Sequence, residues 1–123
     1  MPAAGARVVC IDNDRASCEG IVALLQRWGL DAVGAHHPDE APTDCTPSLI
    51  VLDYRLDDGL TGDNACPVLE EKFGSLPPII LLTAEETEET KLAAQTIGAH
   101  RLIKPASPAI LRALIGSLLR IEA

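Results

Sequence analysis

Arg7-Val8-Val9-Cys10-Ile11-Asp12-Asn13-Asp14 sets the pattern of the chain: a strand-length apolar run halted by three polar turn formers. Directly after it, Cys18, Ile21, Val22, Leu25 and Trp28 recur at helical spacing, with Asp14 placed to cap the helix and Gly29 to stop it. A strand that is apolar throughout, rather than alternating, is buried on both faces. Strands that alternate with helices pair in parallel through right-handed crossovers. The same unit recurs along the sequence. Leu30 to Ala35 is a weaker second strand, and Ser48-Leu49-Ile50-Val51-Leu52 is a third that ends in Asp53. Pro77-Pro78 introduces Ile79-Ile80-Leu81-Leu82, which ends at Thr83, and Arg101-Leu102-Ile103 runs into Lys104-Pro105. A helix fits Thr87 to Ile97, closed by Gly98. Ser107-Pro108 opens a last helix with Leu111, Leu114, Ile115 and Leu118 on one face. The pattern predicts a doubly wound α/β domain with a five-stranded parallel sheet and helices on both faces.

Two stretches break the rhythm. His36 to Pro47 should hold a second helix, but Pro38, Pro42 and Pro47 predict a short or irregular element there. Pro67 lies inside the helical pattern that starts near Thr61-Gly62, which predicts a late start or a kink. At 123 residues, 1–123 is expected to be one domain. Hydrophobic residues at 47% against 23% charged supply a packed core, and with one Trp, one Tyr and one Phe that core is built from Leu, Ile, Val and Ala. The same scarcity leaves no aromatic platform for single-stranded nucleic acid. A net charge of −8 repels phosphate backbones, so no direct nucleic-acid partner is expected. Cys10, Cys18, Cys45 and Cys66 lack the spacing of a disulfide or metal framework, and Cys10 suits a buried thiol. No signal peptide and no apolar stretch near eighteen residues is present, so a reduced, cytoplasmic setting without a membrane partner is expected. His36 and His37, as neighbours, would point to opposite faces of a strand and read as strand-end or loop residues rather than metal ligands.

In open parallel sheets, ligands collect at the carboxyl ends of the strands. Here those ends carry Asp12-Asn13, Asp53, Thr83-Ala84 and Lys104-Pro105. Two carboxylates and an amide suit a hard divalent cation such as Mg²⁺, which takes few protein oxygens and keeps several waters. A hydroxyl and an ammonium beside it are the groups that hold phosphoryl oxygens. Taken singly, each residue has a plainer role: Asp14 as a helix cap, Asp53 as a turn acid, Thr83 as a strand-end hydroxyl, Lys104 as a solvated charge. Their joint placement at four strand ends is what points to a site.

On Ile11-Asp12-Asn13-Asp14, Leu52-Asp53-Tyr54, Leu82-Thr83-Ala84 and Ile103-Lys104-Pro105, the sequence resembles the receiver domain of two-component response regulators over essentially its whole length. The resemblance implies a flavodoxin-like sheet of order 2-1-3-4-5 and a phosphorylation switch. Asp53 would accept the phosphoryl group from a phosphohistidine. Asp12, Asn13, Asp53 and the backbone carbonyl of Arg55 would hold Mg²⁺, and Thr83 and Lys104 would bind the phosphoryl oxygens. Such a domain catalyses its own aspartyl phosphorylation and dephosphorylation without being an enzyme in the usual sense. Its implied partner is a histidine kinase or a histidine phosphotransfer protein. A homodimer through the helix after Thr87, the fifth strand and the last helix is a further implication. A cis Lys104-Pro105 bond is common in the family.

Three positions depart from the family's pattern. Asn13 stands where a carboxylate is more usual, which should weaken Mg²⁺ binding without abolishing it. Arg101 stands where an aromatic ring is usual and, as a guanidinium that cannot be buried unpartnered, is expected to stay exposed. Leu56-Asp57-Asp58-Gly59-Leu60-Thr61-Gly62 replaces the usual turn with a longer acidic one. That loop, with Cys10-Ile11-Asp12-Asn13-Asp14, is most like the receivers fused to hybrid sensor histidine kinases, so a domain excised from such a kinase is expected. Arg55 and Glu85, two positions beyond Asp53 and Thr83, are expected to pair across the mouth of the site. The alternative is a pseudo-receiver that only docks partners. A flavodoxin-like mononucleotide binder would need a phosphate-cradling loop where Asp12-Asn13-Asp14 has the wrong charge. An aspartyl phosphatase would need a cap for which no segment is long enough.

Overall fold

The computed structural model describes residues 5–119. Its elements run β1 (Arg7–Ile11), α1 (Arg15–Arg27), β2 (Asp31–Ala35), a 3-10 turn (Pro38–Glu40), β3 (Leu49–Asp53), a second 3-10 turn (Asp57–Gly59), α2 (Gly62–Phe73), β4 (Ile79–Thr83), α3 (Glu88–Ile97), β5 (His100–Ile103) and α4 (Pro108–Leu119). The strands form one parallel sheet of order β2-β1-β3-β4-β5, as expected of this fold. No helix among the described residues is long and apolar enough to cross a membrane.

Strand alternation divides the core in two. Val9, Ile11, Ile50, Leu52, Ile79 and Leu81 face α2 and α3, while Val8, Cys10, Leu49, Val51, Ile80 and Leu82 face α1 and α4. β3 and β4 are buried along their whole length, which is why their sequences show no polar alternation. Helix ends follow the residues chosen for them. The Asp14 carboxylate accepts from the Ser17 amide, Thr87 and Thr90 form a capping box, and Gly98 closes α3 in the left-handed region. Gly34 on β2 meets a different demand: a Cβ there would lie 2.8 Å from the Cys18 sulfur, so only glycine lets α1 pack this closely. Cys10, Cys18 and Cys66 are buried free thiols. Burial pushes Cys66 up to about 11 and Cys10 higher still, so neither is a reactive thiolate at neutral pH.

The proline-rich stretch holds only the 3-10 turn Pro38–Glu40, capped by His37, so the irregular element expected there is what forms. Of the late start or kink expected at Pro67, the late start does not occur: α2 begins at Gly62 and continues through it. Pro67 is exposed, and the cost is confined to the Asp63 carbonyl, which loses its amide partner. The opposite face, Ala65, Cys66 and Leu69, is buried against the sheet and holds the helix in place.

Candidate functional site

Strand register brings four chain ends to one level. Ile11 pairs with Leu52, Asp53 with Leu82 and Thr83 with Ile103, so Asp12 and Lys104, the next residues along, stand beside Asp53 and Thr83. The Lys104 amide donates to the Thr83 carbonyl at 2.8 Å and the Asp12 amide to the Ala35 carbonyl at 3.1 Å, which extends the sheet's order past its last residues. The Lys104–Pro105 peptide bond is cis.

The side chains converge on Lys104. Its ammonium lies 3.2 Å from Asp12 Oδ2 and 3.2 Å from Asp53 Oδ1. Both carboxylates are buried, and the ammonium is partly open to solvent. The Asp14 amide donates to Asp12 Oδ1 at 2.9 Å, so both oxygens of Asp12 are engaged. A cavity of about 330 Å³ opens over this group, lined among others by Asn13, Asp53, Arg55, Thr83, Glu85 and Lys104. Two buried carboxylates, an exposed amide and backbone oxygens are a donor set that fits Mg²⁺ with several retained waters. Among the described residues no three Asp, Glu, His or Cys side chains are grouped so as to hold a metal ion.

The two acids are not equivalent. Burial alone would raise Asp12, but the Asp14 amide, Ser17 and Lys104 outweigh it and hold Asp12 below the usual carboxylate range. Burial, together with the charge of Asp12, pushes Asp53 up to about 6 against the pull of Lys104. Burial acts against the Lys104 ammonium as well, and Asp53 and Asp12 outweigh it, so its pKa is raised. A carboxyl whose folded pKa lies above its unfolded value binds protons more tightly when folded. The contribution of Asp53 to stability therefore falls as pH rises from about 4 to about 6 and stays lowered above that. Asp53→Asn is expected to stabilise the metal-free protein at pH 7, with the gain fading as pH drops through about 6 towards 4. Thermal melts in chelator across that window check it.

Thr83 sits at the site but is turned to the following loop. Its hydroxyl donates to the Glu85 carbonyl at 3.0 Å and accepts from the Glu85 amide at 3.1 Å. Arg55 and Glu85 do pair across the mouth, Nε to Oε1 at 2.6 Å, with both side chains well exposed. Arg101 is not exposed as expected. Its side chain is 22% exposed; it donates to Thr90 Oγ1 at 3.1 Å and the Thr87 carbonyl at 3.4 Å, with Glu86 at 3.9 Å. Polar acceptors at the start of α3 compensate the guanidinium for the water it loses. Three participants escaped the sequence reading. Tyr54, buried beside Asp53, donates to Glu89 at 3.1 Å; Thr90 is wholly buried and donates to the Glu85 carbonyl at 3.1 Å; Asp57 accepts from the Asn13 amide at 3.1 Å. Only the acidity of the loop around Asp57 stood out in sequence.

The family model described as the response regulator receiver domain matches residues 8–116. The phosphate regulon transcriptional regulatory protein PhoB of Pseudomonas aeruginosa is 31% identical over 121 residues, covering 94% of this chain and 52% of the relative. The chain thus spans about half the length of that curated relative. Among solved structures, a two-component response regulator from Clostridium difficile superposes with a TM-score of 0.80 at 26% identity, covering 94% of this chain and 96% of that one. The Vibrio cholerae chemotaxis protein CheY4 superposes with a TM-score of 0.82 at 24% identity, over 94% and 100% of the two chains, a likeness of fold.

Proposed function

The chain belongs to the response regulator receiver domain family of two-component signalling, and we propose that Asp53 is its phosphoacceptor. The observation that carries this is the Lys104 ammonium held 3.2 Å from each of two buried carboxylates, with Thr83 at the neighbouring strand end. An Asp53 oxygen attacks the phosphorus of a phosphohistidine, the P–N bond breaks as the P–O bond forms, and the imidazole leaves with a proton. Asp12, Asn13, Asp53 and the Arg55 carbonyl would hold Mg²⁺, which when bound offsets the charge on the transferring oxygens. Lys104 is already placed to follow that charge. Thr83 exchanges the Glu85 carbonyl for a phosphoryl oxygen, which frees the loop that Thr90 and Arg101 also grip.

The partner in this reading is a histidine kinase or a histidine phosphotransfer protein, in the cytoplasm, with residues 1–123 acting as one receiver domain. The acidic loop 56–62 supports a receiver of the hybrid-kinase type. Leu92, Ile103 and Ile110, at 63%, 38% and 57% exposure on α3, β5 and α4, support a homodimer through that face. Intact mass after incubation with Mg²⁺ and a small phosphodonor tests the function. One labile phosphoryl adduct is expected, absent when a chelator is added. A docking-only domain would gain none.

Arg55 and Glu85 line the cavity over Asp53 and pair across its mouth, and in this reading they screen the acyl phosphate from in-line attack by water. Replacing both with alanine is expected to shorten the adduct's half-life severalfold at fixed Mg²⁺. An unchanged decay would make them an ordinary solvated pair.

A further inference from the structure

Asn13 lines the same cavity as Asp53 and Lys104, and its side chain is engaged by a residue 44 positions away: Nδ2 donates to Asp57 Oδ1 at 3.1 Å. An ionised carboxylate only accepts, so it can face only the NH₂ end of an amide. Asp57 therefore fixes which way round the Asn13 amide sits, and Oδ1 is the atom left free of that bond. The loop that presents Asp57 is anchored on both sides. Leu56 before it is buried, the Leu56 amide donates to the Leu60 carbonyl at 2.8 Å, and the Leu60 amide donates to the Asp57 carbonyl at 3.1 Å. Arg55 bridges to Thr61, and Asp58 and Gly59 take the left-handed conformations (φ 61° and 75°) that fold the loop back.

We propose that Asp57 is an outer-shell positioning residue for the divalent cation: it presents the Asn13 amide oxygen to the ion and supplies the negative charge that Asn13 lacks. The inference rests on the Mg²⁺ site described above and goes beyond it, since the longer acidic loop becomes the counterpart of the missing carboxylate at position 13. Asp57 acts through Asn13 rather than as a ligand, its Oδ1 being occupied by the Asn13 Nδ2–H. Residues that orient a metal ligand in this way commonly change metal affinity by roughly 10–100-fold when removed.

Calorimetric titration with Mg²⁺ alone, on the phosphoryl-free protein, tests this with Asp57→Asn, Asn13→Asp, the double variant and Asp12→Asn. Asp57→Asn is expected to weaken binding by about tenfold, the low end of that range for an exposed loop residue, with an unchanged metal-free melting temperature. In the Asn13→Asp background the effect reverses. No NH₂ remains to orient and two carboxylates face each other, so Asp57→Asn there leaves affinity unchanged or tightens it. Equal weakening in both backgrounds, or none in the wild type, overturns the proposal while Asp12→Asn still abolishes binding. Undiminished binding by Asp12→Asn would instead overturn the metal site itself.

Discussion

Lys104→Met is expected to abolish stable phosphorylation and to lower the stability of the metal-free protein at neutral pH. Among the described residues the Lys104 ammonium is the one cation shared by Asp12 and Asp53, 3.2 Å from each. Methionine keeps most of the stem's packing and removes the charge and its hydrogen bond to Asp12, leaving two buried carboxylates without their shared ammonium. Breaking a fully buried pair costs about 3–5 kcal/mol. Lys104 is 23% exposed, so about 1–3 kcal/mol is expected here. The two acids would then share a proton more readily, and the stability deficit should shrink on acidification. Denaturant titration at pH 7 and pH 5 measures both parts. A variant as stable as the wild type at pH 7 would mean that Lys104 is solvated and the acids are kept apart by other means.

Gly62→Ala should act on the same site without touching a charged group. The Gly62 amide donates to the Tyr54 carbonyl at 2.7 Å, seating the start of α2 on the end of β3. A Cβ at this buried position would meet the Asp53 carbonyl oxygen at 2.8 Å, Leu81 Cδ1 at 2.8 Å and Leu52 Cγ at 3.2 Å. The nearest obstacle is backbone, which cannot swing aside as a side-chain tip can. Overpacking of this kind costs about 1–3 kcal/mol, and relief by backbone movement would displace Asp53 itself. Loss of both stability and phosphorylation rate is therefore expected from one methyl group. Gly59→Ala is the useful contrast: no atom lies within 4 Å of the added Cβ, so it strains only a left-handed turn at the surface. If Gly62→Ala melted with the wild type, the close approach of α2 to β3 would be refuted.

The five strands and the placement of Asp12, Asp53, Thr83 and Lys104 at their ends could be read from the sequence because both are local signals, whereas the strand order came from the family resemblance. A strand buried on both faces writes itself as an unbroken apolar run, and the first polar residue after it lies at the sheet's edge. The irregular stretch after β2 was legible for a like reason, since prolines act where they stand. What could not be read was how distant groups answer one another. Arg101 looked too polar to bury because its acceptors, Thr90 Oγ1 and the Thr87 carbonyl, lie more than ten residues away at the start of α3, and nothing local to Arg101 says that the two meet. Pro67 read as a late start or a kink because the packing that holds the first turns of α2 in place comes from the sheet and not from the helix. The Thr83 hydroxyl was placed at the site, yet its hold on Glu85 depends on a loop conformation. Asn13 looked like a simple loss of charge until Asp57, brought back by the loop after β3, stood beside it.

The central claim is that this sheet edge makes an acyl phosphate on Asp53. The most direct measurement is the intact mass of the wild type and of Asp53→Asn after the same exposure to Mg²⁺ and a small phosphodonor. The wild type should gain one phosphoryl group that is lost on mild alkaline treatment, and Asp53→Asn should gain none while remaining folded. An adduct of undiminished yield on Asp53→Asn would place the chemistry elsewhere and contradict the account.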